Sequence, residues 1–136
     1  MKIVVDTNAL VSGLLNPYGA AGEIGRMISA GLLIVYYDAR IISEYKEVLR
    51  RGKFEFNQNQ VEDMLRFLQS NGEIALAKPL KSRLPDIHDE MFLEVAIAAK
   101  ARCLITGNIK HYPVTKRQGM SVESPSEFIE LYRKES

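Results

Sequence analysis

Short apolar stretches alternate with amphipathic stretches along the whole chain. Residues 3–5 form an all-apolar run rich in β-branched side chains, which is typical of a central strand buried on both faces. A second strand is predicted at residues 32–36, another buried strand at 103–106, a weak strand at 73–77 and a short one at 121–123. The stretches between them carry apolar residues at helical spacing. Strands that alternate with helices predict an α/β fold, with a three-layer α/β/α arrangement and a central parallel sheet of about five strands.

The predicted helices have recognisable ends. A short helix over residues 9–15 is expected to stop just before Pro17, because proline restricts the residue that precedes it. Asp38 is placed to cap a long amphipathic helix that follows the second strand. Near the end of the chain, Ser124 and Glu127 have the spacing of a capping box, which predicts a last helix that starts there.

Length and composition indicate one compact domain that spans residues 1–136. The chain is 46% hydrophobic and 26% charged, so it can support a core without disulfides or metals as staples. Its formal net charge of +1 gives no global reason to bind a polyanion. Any contact with nucleic acid therefore has to come from a local basic patch.

The single cysteine and the absence of a long apolar run predict a cytoplasmic protein without membrane contact. Cys103 has no second cysteine to pair with, and its apolar surroundings indicate a buried thiol in a reducing compartment. No apolar run approaches the roughly 18 residues of a membrane span. Asp6 also interrupts the first apolar stretch before it reaches the length of a signal sequence.

Three acidic residues stand where ligands of a parallel α/β protein are expected. Asp6 follows the first strand, and ligands of such sheets bind beyond the carboxyl ends of strands, although a helix cap explains the residue equally. Glu44 lies beside the inward face of its helix, where pairing with Arg40 or Lys46 is the alternative. Asp89 opens the most apolar helix, where an N-cap is expected in any case.

Further polar groups belong to the same edge of the predicted sheet. Asn108 follows the strand at residues 103–106, so it faces the same crevice as Asp6 if the two buried strands are neighbours, unless it only forms a turn. Glu94 and Thr106 are candidates for orienting the ligands. Oxygen ligands of this kind suit Mg²⁺ or Mn²⁺, and such an ion can assist hydrolysis of a phosphodiester. The sequence therefore predicts a metal-dependent nuclease.

Three segments carry a resemblance to a known family: VVDTNALVSGLL, DIHDEMFLEVAIAAKARCLITGN and SVESPSEFIELY. Together they resemble PIN-domain ribonucleases, and most closely the VapC-like toxin components of bacterial toxin-antitoxin pairs. The resemblance runs the whole length of the chain. It implies a Rossmann-like PIN fold whose acidic pocket binds Mg²⁺ or Mn²⁺ and cleaves single-stranded RNA.

The resemblance also implies roles for individual residues. Asp6 matches the first acid of the family, Glu44 the acid on the helix after the second strand, and Asp89 the acid ahead of the alanine-rich helix. Thr7 and Asn8 match the polar positions after the first acid, from which a side chain can orient Asp6. A cognate antitoxin protein and a homodimer are the partners that the resemblance implies.

One position departs from the family pattern. Many PIN domains have a fourth acid after the strand, whereas this chain has Asn108, which can offer an oxygen but no negative charge. The departure keeps a second hypothesis open, a catalytically weak or inactive PIN-like module that binds RNA or protein. A nucleotide-binding domain of the same fold class is disfavoured, because the chain contains no GxxxxGK[ST] phosphate loop.

Basic residues on two loops predict a rim that attracts RNA to an acidic pocket. Both loops are expected at the same end of the sheet, although charges that merely solubilise exposed loops explain them equally well. His111 could also aid proton transfer, but a lone loop histidine is more often a surface residue. The RNA-binding candidates are Lys78, Lys81 and Arg83 before the buried helix, and Lys110, His111, Lys116 and Arg117 after the Asn108 turn.

Overall fold

The computed structural model describes residues 1–135, which form five strands and six α-helices. Four short 3₁₀ helices lie in the connections, at Gly52–Phe54, Ile87–Asp89, Ile109–His111 and Val114–Lys116. The main elements are β1 (Lys2–Val5), α1 (Thr7–Leu15), α2 (Ala20–Ser29), β2 (Ile34–Tyr37), α3 (Ala39–Leu49), α4 (Gln58–Asn71), β3 (Glu73–Ile74), α5 (Glu90–Ala99), β4 (Cys103–Ile105), β5 (Val122–Glu123) and α6 (Pro125–Glu135).

The strands form one parallel sheet in the order β3-β2-β1-β4-β5, which confirms the predicted fold class. Ile3 of β1 is aligned with Val35 of β2 on one side and with Cys103 of β4 on the other. The chain starts in the middle of the sheet, builds outward to β3, and then crosses back to β4. The strand order therefore reverses between β1 and β4, and ligands of open α/β sheets bind beyond the carboxyl ends of strands at such a point.

The helices bury their apolar faces around this sheet. α5 packs against β1, β2 and β4, which explains why it is apolar on almost every side. α1 packs against α2, and α2 contacts α6. Within residues 1–135, no helix is both long enough and apolar enough to cross a membrane.

Both predicted caps form. The Asp38 carboxylate accepts a hydrogen bond from the Ile41 backbone N–H at 3.1 Å at the start of α3. At the start of α6, the Ser124 hydroxyl accepts from the Glu127 N–H at 3.1 Å, and the Glu127 carboxylate accepts from the Ser124 N–H at 2.9 Å. This reciprocal pair is the capping box that the sequence predicts.

The bounds of some elements differ from the prediction. α1 starts at Thr7 rather than at residue 9, because Asp6 itself takes the N-cap position. β3 is two residues long instead of five. The Ala75 N–H still donates to the Tyr37 carbonyl at 3.0 Å, but the chain then leaves the sheet as a loop. β3 is an edge strand with a neighbour on one side only, so fewer hydrogen bonds hold it in the sheet.

Replacing Gly22 with alanine is expected to destabilise the protein by about 2 kcal/mol, because the new side chain overlaps backbone atoms. A Cβ at Gly22 would lie 2.0 Å from the Pro17 carbonyl oxygen. Gly25→Ala is the matched control on the same helix, since its Cβ meets nothing within 4 Å. It is expected to stabilise by up to about 1 kcal/mol through helix propensity. Urea unfolding measures both, and effects of the same sign would contradict this packing argument.

Candidate active site

Asp6 is a buried carboxylate at the carboxyl end of β1. Its side chain is only 3% exposed, and its backbone N–H donates to the Ile105 carbonyl at 2.9 Å, which joins the ends of β1 and β4. Its Oδ2 accepts from the Thr106 hydroxyl at 3.0 Å and from the Tyr112 hydroxyl at 2.8 Å. Burial raises the pKa of Asp6, and these two donors partly offset the rise.

The capping interpretation of Asp6 is right about its position, but the strongest partners of its side chain are hydroxyl groups rather than backbone N–H groups. The residue occupies the N-cap of α1 with an extended backbone, yet its carboxylate makes no capping hydrogen bond of good geometry. The backbone N–H groups of Asn8 and Thr7 also lower the pKa of the carboxyl, but by less than the hydroxyls of Tyr112 and Thr106 do. The main partners of this carboxylate are therefore hydroxyl groups from the other half of the chain.

Tyr112 is a functional candidate that sequence reasoning missed. Its side chain is fully buried, its hydroxyl donates to Asp6 Oδ2, and the negative charges of Asp6, Asp89 and Glu44 act on it. Burial first, and then these negative charges, raise the pKa of the phenol far above its ordinary value, so it remains a neutral hydrogen-bond donor. Its place four residues after Asn108, at the predicted edge, is the one sequence signal that could have found it.

Glu44 projects from α3 toward the first turn of α1. The Thr7 hydroxyl donates a short hydrogen bond to the Glu44 carboxylate. Arg40, considered as a partner from sequence, instead donates to Asp38 and Glu94. Glu44 therefore belongs on the side of α3 that faces Asp6, as the inward-facing interpretation of the sequence predicts.

Asp89 lies at the end of a 3₁₀ helix where α5 begins, and it is buried. Its carboxylate does not cap α5. Instead, Oδ2 lies 3.0 Å from Nδ1 of His111, which reaches it from the segment after β4. Burial is the main cause that raises the pKa of Asp89 to about 6, the charge of Asp6 raises it further, and His111 opposes the rise.

The turn after β4 is held from two sides. The Thr106 hydroxyl, which donates to Asp6, accepts from the Asn108 N–H at 3.0 Å. The Asn8 side-chain oxygen accepts from the Gly107 N–H at 2.7 Å. Asn108 itself is exposed at the end of this turn.

The groups that orient Asp6 differ from those that the sequence predicts. Thr7 bonds to Glu44 and Asn8 bonds to the Gly107 turn, so neither side chain was found hydrogen-bonded to Asp6. The hydroxyls of Thr106 and Tyr112 contact the carboxylate directly. Thr106 was among the predicted orienting groups, and Tyr112 was not.

Glu94, predicted as an orienting group, braces the loop before α5. This buried carboxylate accepts from Arg40 at 2.7 Å and from the Leu80 N–H at 3.3 Å. Glu90 acts in the same way, since it accepts from Arg83 at 2.8 Å and from the Leu84 N–H at 3.0 Å. Two buried acids on one helix thus hold the backbone of a loop.

The two basic segments contact each other at one point. The Lys116 ammonium donates to the Arg83 carbonyl at 2.9 Å, which joins the loop before α5 to the segment after β4. Arg117 donates to the Tyr112 carbonyl at 2.7 Å and so holds that segment in place. The exposed members of the set are Lys78, Lys81, Arg83, Lys110 and His111.

The oxygen donors of the site are of the type that binds a hard divalent cation, but their side chains are not arranged around a single point. Asp6, Glu44 and Asp89 supply carboxylate oxygens and Asn108 an amide oxygen, the ligands that Mg²⁺ and Mn²⁺ prefer. Among residues 1–135, no three His, Cys, Asp or Glu side chains are arranged so that they could hold a metal ion. A cation shared by the three acids therefore requires side-chain movement.

The fold and this site define a parallel α/β protein with buried carboxylates at the point where strand order reverses. Residues 2–110 match the family model described as PIN domain, and the chain belongs to the PIN-domain family. PIN domains have a nuclease-like fold and are generally metal-dependent nucleases. One similar protein is the uncharacterized protein MJ1680 of Methanocaldococcus jannaschii, which is 29% identical over 145 aligned positions, covering 98% of this chain and 93% of that protein.

Proposed function

We propose that this chain is a metal-dependent endoribonuclease that cleaves single-stranded RNA. The observation that carries the proposal is the buried hydroxyl of Tyr112, which donates to Asp6 Oδ2 at 2.8 Å beyond the carboxyl ends of β1 and β4. The charges of Asp89 and Glu44 also act on this hydroxyl and help to raise its pKa. Asp6, Glu44 and Asp89 approach this region from three separate elements, the end of β1, α3 and the start of α5. A bound cation would offset the mutual repulsion of these carboxylates, which supports a metal-binding role.

In the proposed mechanism, Asp6, Glu44 and Asp89 are the residues that would hold Mg²⁺ or Mn²⁺ once their side chains move together. When bound, such a cation lowers the pKa of a water molecule and offsets the negative charge of the phosphate. The hydroxyls of Tyr112 and Thr106 fix the orientation of Asp6 through Oδ2. His111 holds the Asp89 carboxylate from the opposite side.

The exposed cations of the two basic segments are proposed to hold the RNA backbone. Lys78, Lys81 and Arg83 lie on the loop before α5, and Lys110 follows the Asn108 turn. Lys116 joins the two segments, so their charges act at the same edge of the sheet. This local concentration of positive charge is independent of the nearly neutral whole chain.

The proposed biological role is that of a toxin component paired with a cognate antitoxin protein, acting as a homodimer in the cytoplasm. It rests on the resemblance of VVDTNALVSGLL and DIHDEMFLEVAIAAKARCLITGN to the toxin group. A small neighbouring reading frame that encodes a DNA-binding protein with a tail would support this role. Co-expression of that neighbouring protein with this chain should then suppress RNA cleavage. Light scattering of the purified chain measures whether it is a dimer.

A second candidate function, a PIN-like module that binds RNA or protein without cleaving, is favoured by two observations. Asn108 stands where a fourth acid would add charge, and Glu44 is engaged by the Thr7 hydroxyl. The first feature removes a negative charge from the site, and the second leaves one Glu44 oxygen already accepting a hydrogen bond. This alternative predicts RNA binding that does not depend on Mg²⁺ or Mn²⁺.

Cleavage of mixed-sequence single-stranded RNA with Mg²⁺ or Mn²⁺ decides between the two functions. The native chain is compared with Asp6→Asn and Asp89→Asn, and with Asp63→Asn as the control, an exposed acid on α4 that pairs with Arg66. The endoribonuclease proposal predicts metal-dependent cleavage by the native chain and by the control alone. If all four proteins bind RNA equally and none cleaves it, the proposal is wrong.

Removing the Tyr112 hydroxyl is expected to weaken Mn²⁺ binding about 10- to 100-fold, the usual effect of losing a group that orients a metal ligand. In Tyr112→Phe, Oδ2 of Asp6 loses the donor at 2.8 Å. Electron paramagnetic resonance of Mn²⁺ measures the affinity without RNA. Tyr37→Phe is the matched control, because its phenol donates to the Gln69 carbonyl at 3.0 Å.

The double variant tests whether Tyr112 acts through Asp6. In an Asp6→Asn background, Tyr112→Phe should change Mn²⁺ affinity no further, since coupled groups are not additive. Equal losses in Tyr112→Phe and Tyr37→Phe would instead assign the effect to general destabilisation.

A further inference from the structure

A second cavity adjoins the acidic site. It has a volume of about 790 Å³ and lies beyond the carboxyl ends of β2 and β3, where Asp38 and Ala75–Ala77 line it. Ile87 and His88 form another part of its wall, and the next residue is Asp89. The cavity is therefore beside the candidate active site, across the start of α5.

Exposed apolar side chains line part of this cavity. Leu76 is 92% exposed and Ile87 is 62% exposed, although both are large hydrophobic residues. Met91 on α5 and Pro79 add apolar surface behind them. Exposed apolar side chains that cluster around a concave surface are typical of a ligand-binding site.

A fixed guanidinium and an imidazole stand among these apolar groups. The Arg40 guanidinium donates to Asp38 Oδ2 from Nε at 2.9 Å and from Nη2 at 2.7 Å. Its Nη1 donates to Glu94 at 2.7 Å, so three bonds fix its plane. The ring of His88 lies 3.0 Å from Asp86 and is largely exposed. Proteins stack unpaired bases of RNA on guanidinium planes and aromatic rings.

The wall of the cavity is held in place before any ligand binds. Glu90 and Glu94 hold the backbone N–H groups of Leu84 and Leu80, and both acids are buried. The loop between them carries Lys81 and Arg83, and Lys116 secures it from the far side. A preformed cavity costs less ordering free energy on binding.

The charge balance selects a neutral ligand over a phosphate. The lining contains three carboxylates, on Asp38, Glu90 and Glu94, against the two guanidinium groups of Arg40 and Arg83. A phosphate would meet no excess of positive charge there. Lys78 and Lys81 line an adjoining cavity, which suits the phosphates of the same strand.

We propose that this second cavity binds one unpaired nucleobase of the RNA strand whose phosphodiester enters the acidic site. The inference rests on the proposed function and adds a specificity site to it. The base stacks against Arg40 and His88 with its edges against Leu76 and Ile87, while Lys78 and Lys81 hold neighbouring phosphates. Recognition of the base, in addition to the backbone, then selects where the strand is cut.

Abasic scanning tests the proposal directly. A short single-stranded RNA with one cleavage site is synthesised with an abasic nucleotide at each successive position, and kcat/KM is measured for every oligonucleotide. For the native chain, one position close to the cut is expected to reduce kcat/KM about 5- to 100-fold, the effect of losing one stacked base. Ile87→Ser and Leu76→Ser are expected to cut the intact RNA more slowly and to lose this abasic penalty.

Two further variants show whether the Ile87 substitution acts only by disturbing the neighbouring Asp89. Leu76 is distant from Asp89 in sequence, so agreement between its variant and that of Ile87 excludes a mere shift of the acid. Leu15→Ser, which changes another exposed leucine at the end of α1, should keep the full penalty.

The outcomes separate this inference from the proposed function. Metal-dependent cleavage with no abasic penalty, or a penalty that both cavity variants retain, overturns the nucleobase site and leaves the nuclease intact. No cleavage and no RNA binding by the native chain overturns both. A retained penalty together with a change in self-association would assign the cavity to a protein partner instead.

Discussion

Asp6→Asn is expected to reduce RNA cleavage by more than about 100-fold, because loss of a residue that merely orients a metal ligand already costs 10- to 100-fold. The same substitution should raise the thermal stability of the metal-free protein at neutral pH. Burial raises the pKa of Asp6, so the folded state disfavours its ionised form, and asparagine carries no charge there. The asparagine oxygen still accepts from Thr106 and Tyr112, so the fold is retained.

Opposite signs of these two effects distinguish a functional acid from a structural one. Thermal unfolding in EDTA and single-turnover cleavage with Mn²⁺ measure them on the same preparation. Asp63→Asn should change neither, since Asp63 is exposed on α4. A less stable Asp6→Asn variant with full activity would show that Asp6 supports the fold only.

The second large effect is a pH-dependent loss of stability caused by Asp89. Its pKa rises from 3.8 in the unfolded chain to about 6 in the folded state. The folded state therefore holds the Asp89 proton more tightly than the unfolded chain does. The stability that this preference contributes is complete below pH 3.8 and is lost as the pH rises through 6. Relative to Asp89→Asn, the native chain should therefore lose up to roughly 3 kcal/mol of unfolding free energy between pH 4 and pH 7.

Urea unfolding in EDTA at a series of pH values measures this difference. Asp86→Asn is the control of opposite sign, because hydrogen bonds from His88 lower the pKa of Asp86. The Asp86 contribution is present above pH 3.8 and is lost as the pH falls. Saturating Mn²⁺ should restore stability to the native chain above pH 6, since it binds the ionised carboxylate. A pH-independent difference between the native chain and Asp89→Asn would contradict the argument.

Local features of the fold were predictable from sequence because they depend on neighbouring residues. The capping box at Ser124 and Glu127 and the cap at Asp38 form as expected. The alternation of strands and helices correctly predicts a parallel sheet of five strands. The length of β3 was overestimated, since the sequence pattern alone does not show that one side of this strand is unpaired.

Asp6 and Asp89 were candidates in the sequence because each lies at the end of a strand or the start of a helix, and Glu44 because it lies beside the inward face of its helix. Asp6 and Asp89 were equally explained as helix caps, and local pattern could not separate the two roles. In the structure the main partners of both carboxylates are side chains rather than the N–H groups of the helix that follows. Their partners come from the segment after β4, which sequence spacing does not place beside them.

The sequence by itself therefore determined which segments form strands and helices, their order along the chain, and the positions of Asp6 and Asp89 at the ends of such segments. Tertiary structure decided which groups surround those acids. The Thr106 and Tyr112 hydroxyls lie 100 and 106 residues from Asp6 along the chain. They meet Asp6 only because β4 pairs with β1 in the middle of the sheet. Burial, which raises the pKa of Asp6 and Asp89, likewise arises when distant segments close over them.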